Sequence, residues 1–190
     1  MTAPTAYEHS WARVMEELRG HPEIEVYEDG IGEFGPAAGD GPLDSSFREC
    51  FFRFEELSSA WGTPEELFGG EFFVQNIRAA LAAPPPPLWY DPSPEELRFS
   101  SGLRVADLSR TGSAWLTAIR VEPGAAHGEL WFDFDRKLPG YRKLDIGYAG
   151  YLAALQVTKG TSGWQLLFPG YDYEPLRRRL EERLGPGSAG

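Results

Sequence analysis

The chain has 190 residues, of which 42% are hydrophobic and 14% aromatic, enough to bury the core of one globular domain and to argue against disorder. Acidic side chains outnumber basic ones by 29 to 18, and the formal net charge is -11. This charge repels nucleic acid and favours a basic protein partner. A surface that merely keeps the protein soluble explains the charge equally well, because net charge informs association rather than fold.

Cys50 is the only cysteine, so an internal disulfide and a cysteine metal cluster are excluded. Its place among apolar residues predicts a buried, inert thiol. The first residues lack a basic segment followed by an apolar one, and nowhere does the chain have the roughly 20 apolar residues of a membrane span. We therefore expect a cytoplasmic protein with no membrane partner.

The first predicted elements are a helix and a short strand. Ser10 opens the helix and Gly20 closes it, with one apolar face between them. That face comprises Trp11, Val14, Met15 and Leu18. Ile24 and Val26 alternate with acidic residues, which predicts the strand. The stretch 30–41 is rich in Gly and Ala and is expected to be a loop.

Three more helical segments are predicted before the prolines at 84–87. Ser46 and Glu49 form a possible capping box, and apolar residues follow at helical spacing. These are Phe47, Cys50, Phe51, Phe54 and Leu57. Thr63 and Glu66 mark another helix start. The last segment is short and amphipathic and contains Phe73, Ile77 and Leu81.

Prolines 84–87 cannot continue a helix and predict an extended polyproline run. Residues 82–95 are interpreted as a Pro-rich insertion or spacer within one domain that spans 1–184, because each half alone is small for a stable core. Towards the end, leucines at helical spacing and i, i+4 pairs such as Arg178 with Glu182 predict a solvated helix rather than a nucleic-acid patch. Residues 185–190 are a tail.

Strands replace helices from Leu103 onward. Three runs with strand character, 103–109, 114–121 and 128–135, are joined by short links. Such links cannot make the crossover that parallel strands need, so the runs predict an antiparallel meander. The middle run has apolar side chains on both faces, which predicts a central strand covered on both sides.

A helix and a further strand follow the meander. The helix has one apolar face, an expected cap at Asp145, and an end marked by Lys159 and Gly160. Its apolar face comprises Tyr148, Tyr151, Leu152 and Leu155. This helix is expected to lie on the sheet. The last predicted strand contains Trp164, Leu166 and Phe168.

The strand 128–135 carries the candidate functional residues. Side chains alternate across a pleat, so Leu130, Phe132 and Phe134 are predicted to face the core. The opposite, acidic face presents Glu129, Trp131, Asp133 and Asp135. Carboxylates spaced by two on a strand could hold Mg²⁺ or Ca²⁺ or act as an acid–base pair. A solvated sheet face is the plainer interpretation, and a docking surface with Trp131 as its aromatic anchor is the third.

Other chemistry has little support in the sequence. His9, His21 and His127 are far apart and form no zinc motif. The glycines form neither a dinucleotide-binding nor a phosphate-binding pattern, and no nucleophile-elbow motif is present. We therefore predict no catalytic residues, no metal and no cofactor, and the protein is not expected to be an enzyme.

The order of elements and several phrases resemble the SUKH superfamily, which includes bacterial immunity proteins and fungal cell-wall regulators of the Smi and Knr type. The resemblance spans about 47–168. It lies in the aromatic frame of LDSSFRECFFRF, in the strand 128–135, in the helix from Tyr148 to Leu155, and in TKGTSGWQLLF. It implies a SUKH-like α+β fold that binds a protein partner, typically a toxin, and it supplies no catalytic residues.

Together these observations predict an α+β fold in which helices flank a largely antiparallel central sheet. The leading functional hypothesis is a cytoplasmic, non-enzymatic immunity protein that neutralises a toxin, for example a basic nuclease, by stoichiometric binding. One alternative is a regulatory adaptor of the Smi and Knr kind. The other is a small-molecule or metal-dependent enzyme that uses Glu129, Asp133 and Asp135.

Overall fold

The computed structural model describes residues 5–33, 45–64, 68–110, 115–121, 128–134 and 140–167, together with positions 178 and 182. Seven strands form one sheet in chain order, and each strand is antiparallel to its neighbours. The strands are β1 Glu25–Ile31, β2 Glu56–Gly62, β3 Gly69–Gln75, β4 Leu103–Leu108, β5 Leu116–Arg120, β6 Leu130–Asp133 and β7 Arg142–Leu144.

The helices of the described residues accompany this sheet on both faces. They are α1 Ala6–Gly20, α2 Ser45–Arg48, α3 Ile77–Ala82, α4 Pro94–Ser101, α5 Tyr148–Thr158 and a 3-10 helix over Trp164–Leu167. The predicted α+β class and the antiparallel meander of β4, β5 and β6 are confirmed. Of the predicted C-terminal helix, only Arg178 and Glu182 are described, both helical, and the remainder lies outside the described residues.

None of the described helices combines the length and the apolar character needed to cross a membrane.

Helix α1 begins earlier than predicted, because Thr5 rather than Ser10 is its N-cap. The Thr5 hydroxyl accepts a hydrogen bond from the Glu8 amide at 3.1 Å, and the Glu8 carboxylate accepts one from the Thr5 amide at 2.7 Å. This capping box satisfies two backbone donors at the helix end. The predicted apolar face is confirmed, since all four of its residues are buried.

The predicted second helix is wrong beyond its first turn. Helix α2 ends at Arg48, a turn follows at Glu49 and Cys50, and no further helix precedes β2. The buried side chains Phe52 and Phe54 follow a period of two rather than a helical one. The Asn76 side-chain amide donates to the carbonyls of both residues, at 2.8 and 3.0 Å, and so holds this backbone extended.

The prediction for the next segments also needs correction. Phe73 lies in strand β3 rather than in a helix, and only the end of that segment is helical, as α3. Thr63 directly follows β2 and is not part of a helix. Its amide donates a hydrogen bond to the Phe68 carbonyl at 2.8 Å. Glu66 lies outside the described residues. Antiparallel pairing with β2 along its full length overrides the weak helical spacing in β3.

One face of the sheet, here called the α5 face, is covered by α1 and α5. Its core joins α5, α1 and the strands in a single cluster of buried side chains, Trp11 and Leu155 among them. The predicted apolar face of α5 is therefore confirmed. The expected cap is wrong, because Gly147 rather than Asp145 is the N-cap and makes no side-chain cap bond. Lys159 ends the helix with a left-handed φ of 50°.

The sheet is continuous, but its pairing is shortest between β3 and β4, where Val74 and Asp107 form the one described pair. The Asp107 carboxylate takes the place of a backbone partner: it accepts the Phe73 amide at 2.8 Å and the Tyr151 hydroxyl at 2.7 Å. Burial raises the pKa of Asp107 to about 7. Asp107 therefore binds α5 to the sheet through a fully buried polar contact.

The segment after α5 fills the gap beside β3. The Glu71 amide donates to the Gly160 carbonyl at 2.9 Å, and Gly70 forms a bridge with Thr161. A Cβ at Gly70 would lie 2.6 Å from the Gly160 carbonyl oxygen, so this approach requires glycine. Trp164 then enters a 3-10 helix, and the predicted final strand is wrong for its described part.

The opposite face, here called the α4 face, carries a smaller buried cluster of Leu103, Leu116 and Ala118. Phe99 of α4 packs against this cluster, and so does Trp131 of β6. Strand β5 is therefore covered on both sides, as its sequence predicts. Prolines 84–87 lie in neither a helix nor a strand, and α4 begins near the end of the segment that was interpreted as a spacer.

Candidate partner-binding site

A cavity of about 330 Å³ lies on the α4 face between α4, strand β6 and the start of β7. We call it the α4 cavity. Its described lining is mostly aromatic, with two acidic side chains. The lining residues are Tyr90, Glu95, Glu96, Phe99, Trp131, Gly140 and Tyr141. This volume lies at the lower end of the range of small-molecule pockets.

The aromatic walls are built by three separated segments of the chain. The Phe99 ring of α4 meets the Trp131 ring edge-on, with centroids 4.7 Å apart, and lies 5.7 Å from the Tyr141 ring. The Trp131 indole N–H donates to the Glu129 carboxylate at 2.8 Å. This bond sets the orientation of the indole, so its ring is presented to the cavity in a defined position.

The acidic part of the cavity is placed by the start of α4. Ser93 caps this helix, its amide donates to the Glu96 carboxylate at 2.7 Å, and its hydroxyl accepts the Glu96 amide at 3.2 Å. These bonds with Ser93 lower the pKa of Glu96. Glu96 is therefore a fixed negative charge at the cavity, and the neighbouring Glu95 is exposed.

Tyr90 lines the cavity beside the start of α4. Burial raises the pKa of Tyr90, and the negative charges of Glu96 and Asp133 raise it further, together with a hydrogen bond to Glu96. The Tyr90 hydroxyl therefore stays neutral at physiological pH and keeps its proton as a donor. The carboxylates of Glu96 and Asp133 therefore make the electrostatic potential negative on this side of the α4 cavity.

Basic side chains lie near the α4 cavity but not among its described lining residues. The Lys143 ammonium lies 3.3 Å from the Glu129 carboxylate, and Lys143 is the cross-strand partner of Trp131. The Arg120 guanidinium carbon lies 5.3 Å from the Phe99 ring centroid. The lining itself combines aromatic rings with Glu95 and Glu96, so its chemistry suits a positively charged group with apolar flanks.

The candidate residues predicted from the sequence have different outcomes. Trp131 lines the α4 cavity, and Glu129 lies beside it, bonded to Trp131 and paired with Lys143. Asp133 is only 2% exposed, so the expected solvated acidic face is wrong at this position. Asp135 lies outside the described residues. The structure therefore places Trp131, Glu129 and Asp133 on one side of β6 without exposing all of them.

The alternation along β6 holds for Leu130, Trp131 and Phe132 and fails at the end of the strand. Leu130 and Phe132 are buried in the core of the α5 face, as predicted, whereas Phe134 is 57% exposed. Strand β6 ends at Asp133, so Phe134 is no longer held by the pleat. Local alternation predicts a face only as far as the strand continues.

The alternative of a metal site has no cluster of ligands in the part of the chain described here. No group of three or more His, Cys, Asp or Glu side chains is placed to hold a metal ion within those residues. Glu129 is engaged by Trp131 and Lys143, and Asp133 is buried. His9 is exposed, His21 accepts the Glu23 amide at 3.1 Å, and His127 lies outside the described ranges.

Cys50 is buried, as predicted, with 3% of its surface exposed. Burial raises the pKa of its thiol to about 11. A thiol that stays protonated at neutral pH is a poor nucleophile.

Sequence reasoning missed most of the α4 cavity. Tyr90 and Glu95 fall in the stretch 82–95 that the sequence predicts to be a spacer, and no motif marks Glu96, Phe99 or Tyr141. One local signal was available: Ser93, Pro94 and Glu96 form the capping box with proline at the first helical position that marks a helix start. That signal predicts α4 but does not indicate which strand the helix covers.

Comparison with protein-family models, with curated proteins and with solved structures finds no significant match to this chain.

Proposed function

We propose that this protein is a non-enzymatic binding protein of the cytoplasm that holds a basic protein partner stoichiometrically on its α4 face. The observation that carries the proposal is the lining of the α4 cavity, where four aromatic rings meet Glu95 and Glu96. Trp and Tyr side chains in such positions are the usual anchors of protein interfaces. The net charge of -11 draws a basic partner towards the whole molecule.

The specific form of the proposal is an immunity protein that neutralises a toxin, for example a basic nuclease. This form rests on the resemblance to the SUKH superfamily. An acidic surface next to an aromatic anchor suits such a partner, because complementary charge speeds encounter and selects against acidic proteins. Occlusion of the toxin's own basic surface would be sufficient for neutralisation, and no chemical step is needed.

The proposal is tested with a charge-neutralised variant and a matched control. Glu95→Gln with Glu96→Gln removes two charges at the α4 cavity, and glutamine preserves the capping box of α4. Glu23→Gln with Glu25→Gln removes the same charge near β1, at the opposite edge of the sheet, where both side chains are exposed. Partners captured from a lysate of the source organism are purified, and complexes are reconstituted from the pure components.

We expect a basic partner in a stoichiometric complex. We expect binding to weaken about three- to tenfold at low salt in the cavity variant and to change little in the control, because rim charges contribute modestly and are screened by salt. Co-expression with the partner should restore the growth of cells that the partner alone poisons. Equal binding by the two variants would exclude the α4 face, and catalytic turnover of the partner would exclude a non-enzymatic role.

A further inference from the structure

We infer that the α4 cavity holds the cationic end of one arginine or lysine side chain, placed against the rings of Tyr90, Phe99, Trp131 and Tyr141 with Glu95 and Glu96 beside it. The inference deepens the proposed function and relies on it for the source of this side chain, a basic protein partner. It assigns the cavity a ligand of stated chemistry, a monovalent organic cation on an apolar stem.

The aromatic rings of the lining are suited to a cation. A positive charge is attracted to the face of an aromatic ring within about 6 Å of its centroid. Phe99 already shows this behaviour within the molecule, since the Arg120 guanidinium carbon lies 5.3 Å from its ring centroid. Arg120 is not among the described lining residues of the cavity, so it is not itself the cavity's guest in the described structure.

The negative charge of Glu95 and Glu96 at the cavity also favours a cation. Bonds with Ser93 keep Glu96 ionised at the cavity, and Tyr90 retains its hydroxyl proton. A cation in the cavity then lies close to both aromatic rings and carboxylate oxygens, and both types of contact favour it. An anion would meet like charge at the same place.

The volume of the cavity limits the size of the guest. About 330 Å³ is at the lower end of ligand pockets, so the cavity has room for one arginine or lysine side chain but not for an extended peptide. The guest is therefore expected to enter as a single residue of the partner, with the rest of the interface formed outside the cavity.

The chain itself offers a competing guest. Arg136 and Lys137 come shortly before Gly140 in the sequence and lie outside the described residues. Replacing both residues tests whether basic side chains of the chain itself affect the binding of an external cation. The variant Arg136→Gln with Lys137→Gln therefore belongs in the experiment.

The test measures binding of capped single residues by proton NMR at constant ionic strength. The acetylated methylamides of arginine and lysine are the probes, and those of citrulline and norleucine are their neutral counterparts. Tetramethylammonium is a third probe. Trp131→Leu removes one ring of the cavity, Trp89→Leu removes an exposed tryptophan outside its lining, and Glu95→Gln with Glu96→Gln provides a second variant that does not depend on the fold surviving loss of the indole.

We expect the charged probes to shift upfield on binding, because their methylene protons lie over aromatic rings. Arginine and lysine should bind about two- to thirtyfold more tightly than their neutral counterparts. Both Trp131→Leu and the double glutamine variant should weaken this binding, while Trp89→Leu should not. Equal affinity for charged and neutral probes, binding of tetramethylammonium alone, or binding only after loss of Arg136 and Lys137 would overturn the inference.

The result separates this inference from the proposed function. If no cation binds but the double glutamine variant still weakens the complex with the captured partner, the cavity assignment fails and the proposed function stands. If arginine binds as expected but no partner forms a complex on the α4 face, the cavity assignment stands and the proposed function fails.

Discussion

The two faces of the sheet are built differently although the same strands form both. The α5 face is closed: α1 and α5 lie over it, and its core is a continuous cluster of large buried side chains that includes Trp11, Tyr151 and Trp164. The α4 face has a small cluster around Leu103, one short helix, and rings that remain partly exposed. Most of the buried apolar side chains lie on the first face, and partly exposed rings and carboxylates lie on the second.

Carboxylates have different roles on the two faces of the sheet. On the α5 face the carboxylates of Asp107 and Glu8 are buried and already bonded within the protein. On the α4 face Glu95 is exposed at the rim of a cavity. Buried bonded carboxylates hold the fold together, whereas rim carboxylates remain available to a partner. The predictions below test this division, beginning with the largest expected effect.

Trp11→Ala is expected to lower the free energy of unfolding by about 3–5 kcal/mol, because it leaves a large cavity in the core of the α5 face. Trp11 is fully buried and packs 5.8 Å from the Phe72 ring centroid. Urea denaturation measures the loss. Trp89→Ala, at a site 52% exposed, is the control and should lose less than about 1 kcal/mol. Similar losses for both would contradict the closed α5 face.

Asp107→Asn is expected to change how stability depends on pH. The pKa of Asp107 is about 7 in the folded protein against an ordinary value of 3.8, so the folded state holds a proton that the unfolded chain has released. Stability is therefore lost as pH rises from about 4 to 7, by at most about 4 kcal/mol. The asparagine variant lacks this ionisation and should become more stable relative to wild type as pH rises.

The measurement is urea unfolding at pH 5, 6, 7 and 8. Asp91→Asn makes the same charge change at an exposed position and should follow the wild-type profile. A constant difference between Asp107→Asn and wild type across this range would show that Asp107 ionises as it does in the unfolded chain.

Glu8→Gln is expected to remove a stabilisation that acts in the opposite pH direction. Hydrogen bonding from Arg53 is the main cause that lowers the pKa of Glu8 to about 2, and the Arg53 side chain and amide reach the carboxylate at 2.7–2.8 Å. Wild-type stability should fall as pH drops from about 4.5 to 2, by roughly 3 kcal/mol from this group. The variant should show a shallower fall.

Acid titration followed by circular dichroism checks this expectation. Glu16→Gln lies on the same helix at an exposed position and serves as the control. If Glu8→Gln and Glu16→Gln lose stability in parallel on acidification, the bonds between Glu8 and Arg53 do not stabilise the fold.

Phe99→Ala is expected to have the smallest effect on stability, about 1–2 kcal/mol, because its ring is only partly buried and α4 covers a small cluster. The loss should be clearly less than that of Trp11→Ala in the same urea measurement. A loss as large as that of Trp11→Ala would mean that the α4 face belongs to the structural core, which would remove the distinction between the two faces.

Elements with strong local patterns could be predicted from the sequence. The meander from Leu103 and the apolar face of α5 follow from periods of two and of 3.6, which neighbouring residues alone establish. The segment from Phe47 to Leu57 could not be predicted in this way. Its aromatic residues fit both periods, and the choice depends on Asn76, whose side chain holds the backbone of Phe52 and Phe54 extended.

Of the residues that line the α4 cavity, the sequence predicted only Trp131 as a binding residue. Alternation along β6 placed Trp131 opposite the core, but it could not indicate that Asp133 is buried. That outcome depends on cover from other segments, since Asp133 lies close enough to Tyr90 to raise its pKa. The lining of the α4 cavity comes from three separate segments, 90–99, Trp131 and 140–141, and no sequence spacing connects one segment with another.

By itself the sequence determined the fold class, the acidic character of the molecule and the buried faces of α1 and α5, because composition and local periodicity encode how much apolar surface each segment has to cover. Only the tertiary structure decided that α4 covers β6 and brings Tyr90, Phe99 and Tyr141 around Trp131. The physical reason is that an apolar face specifies burial but not its partner. Packing of the whole chain selects that partner.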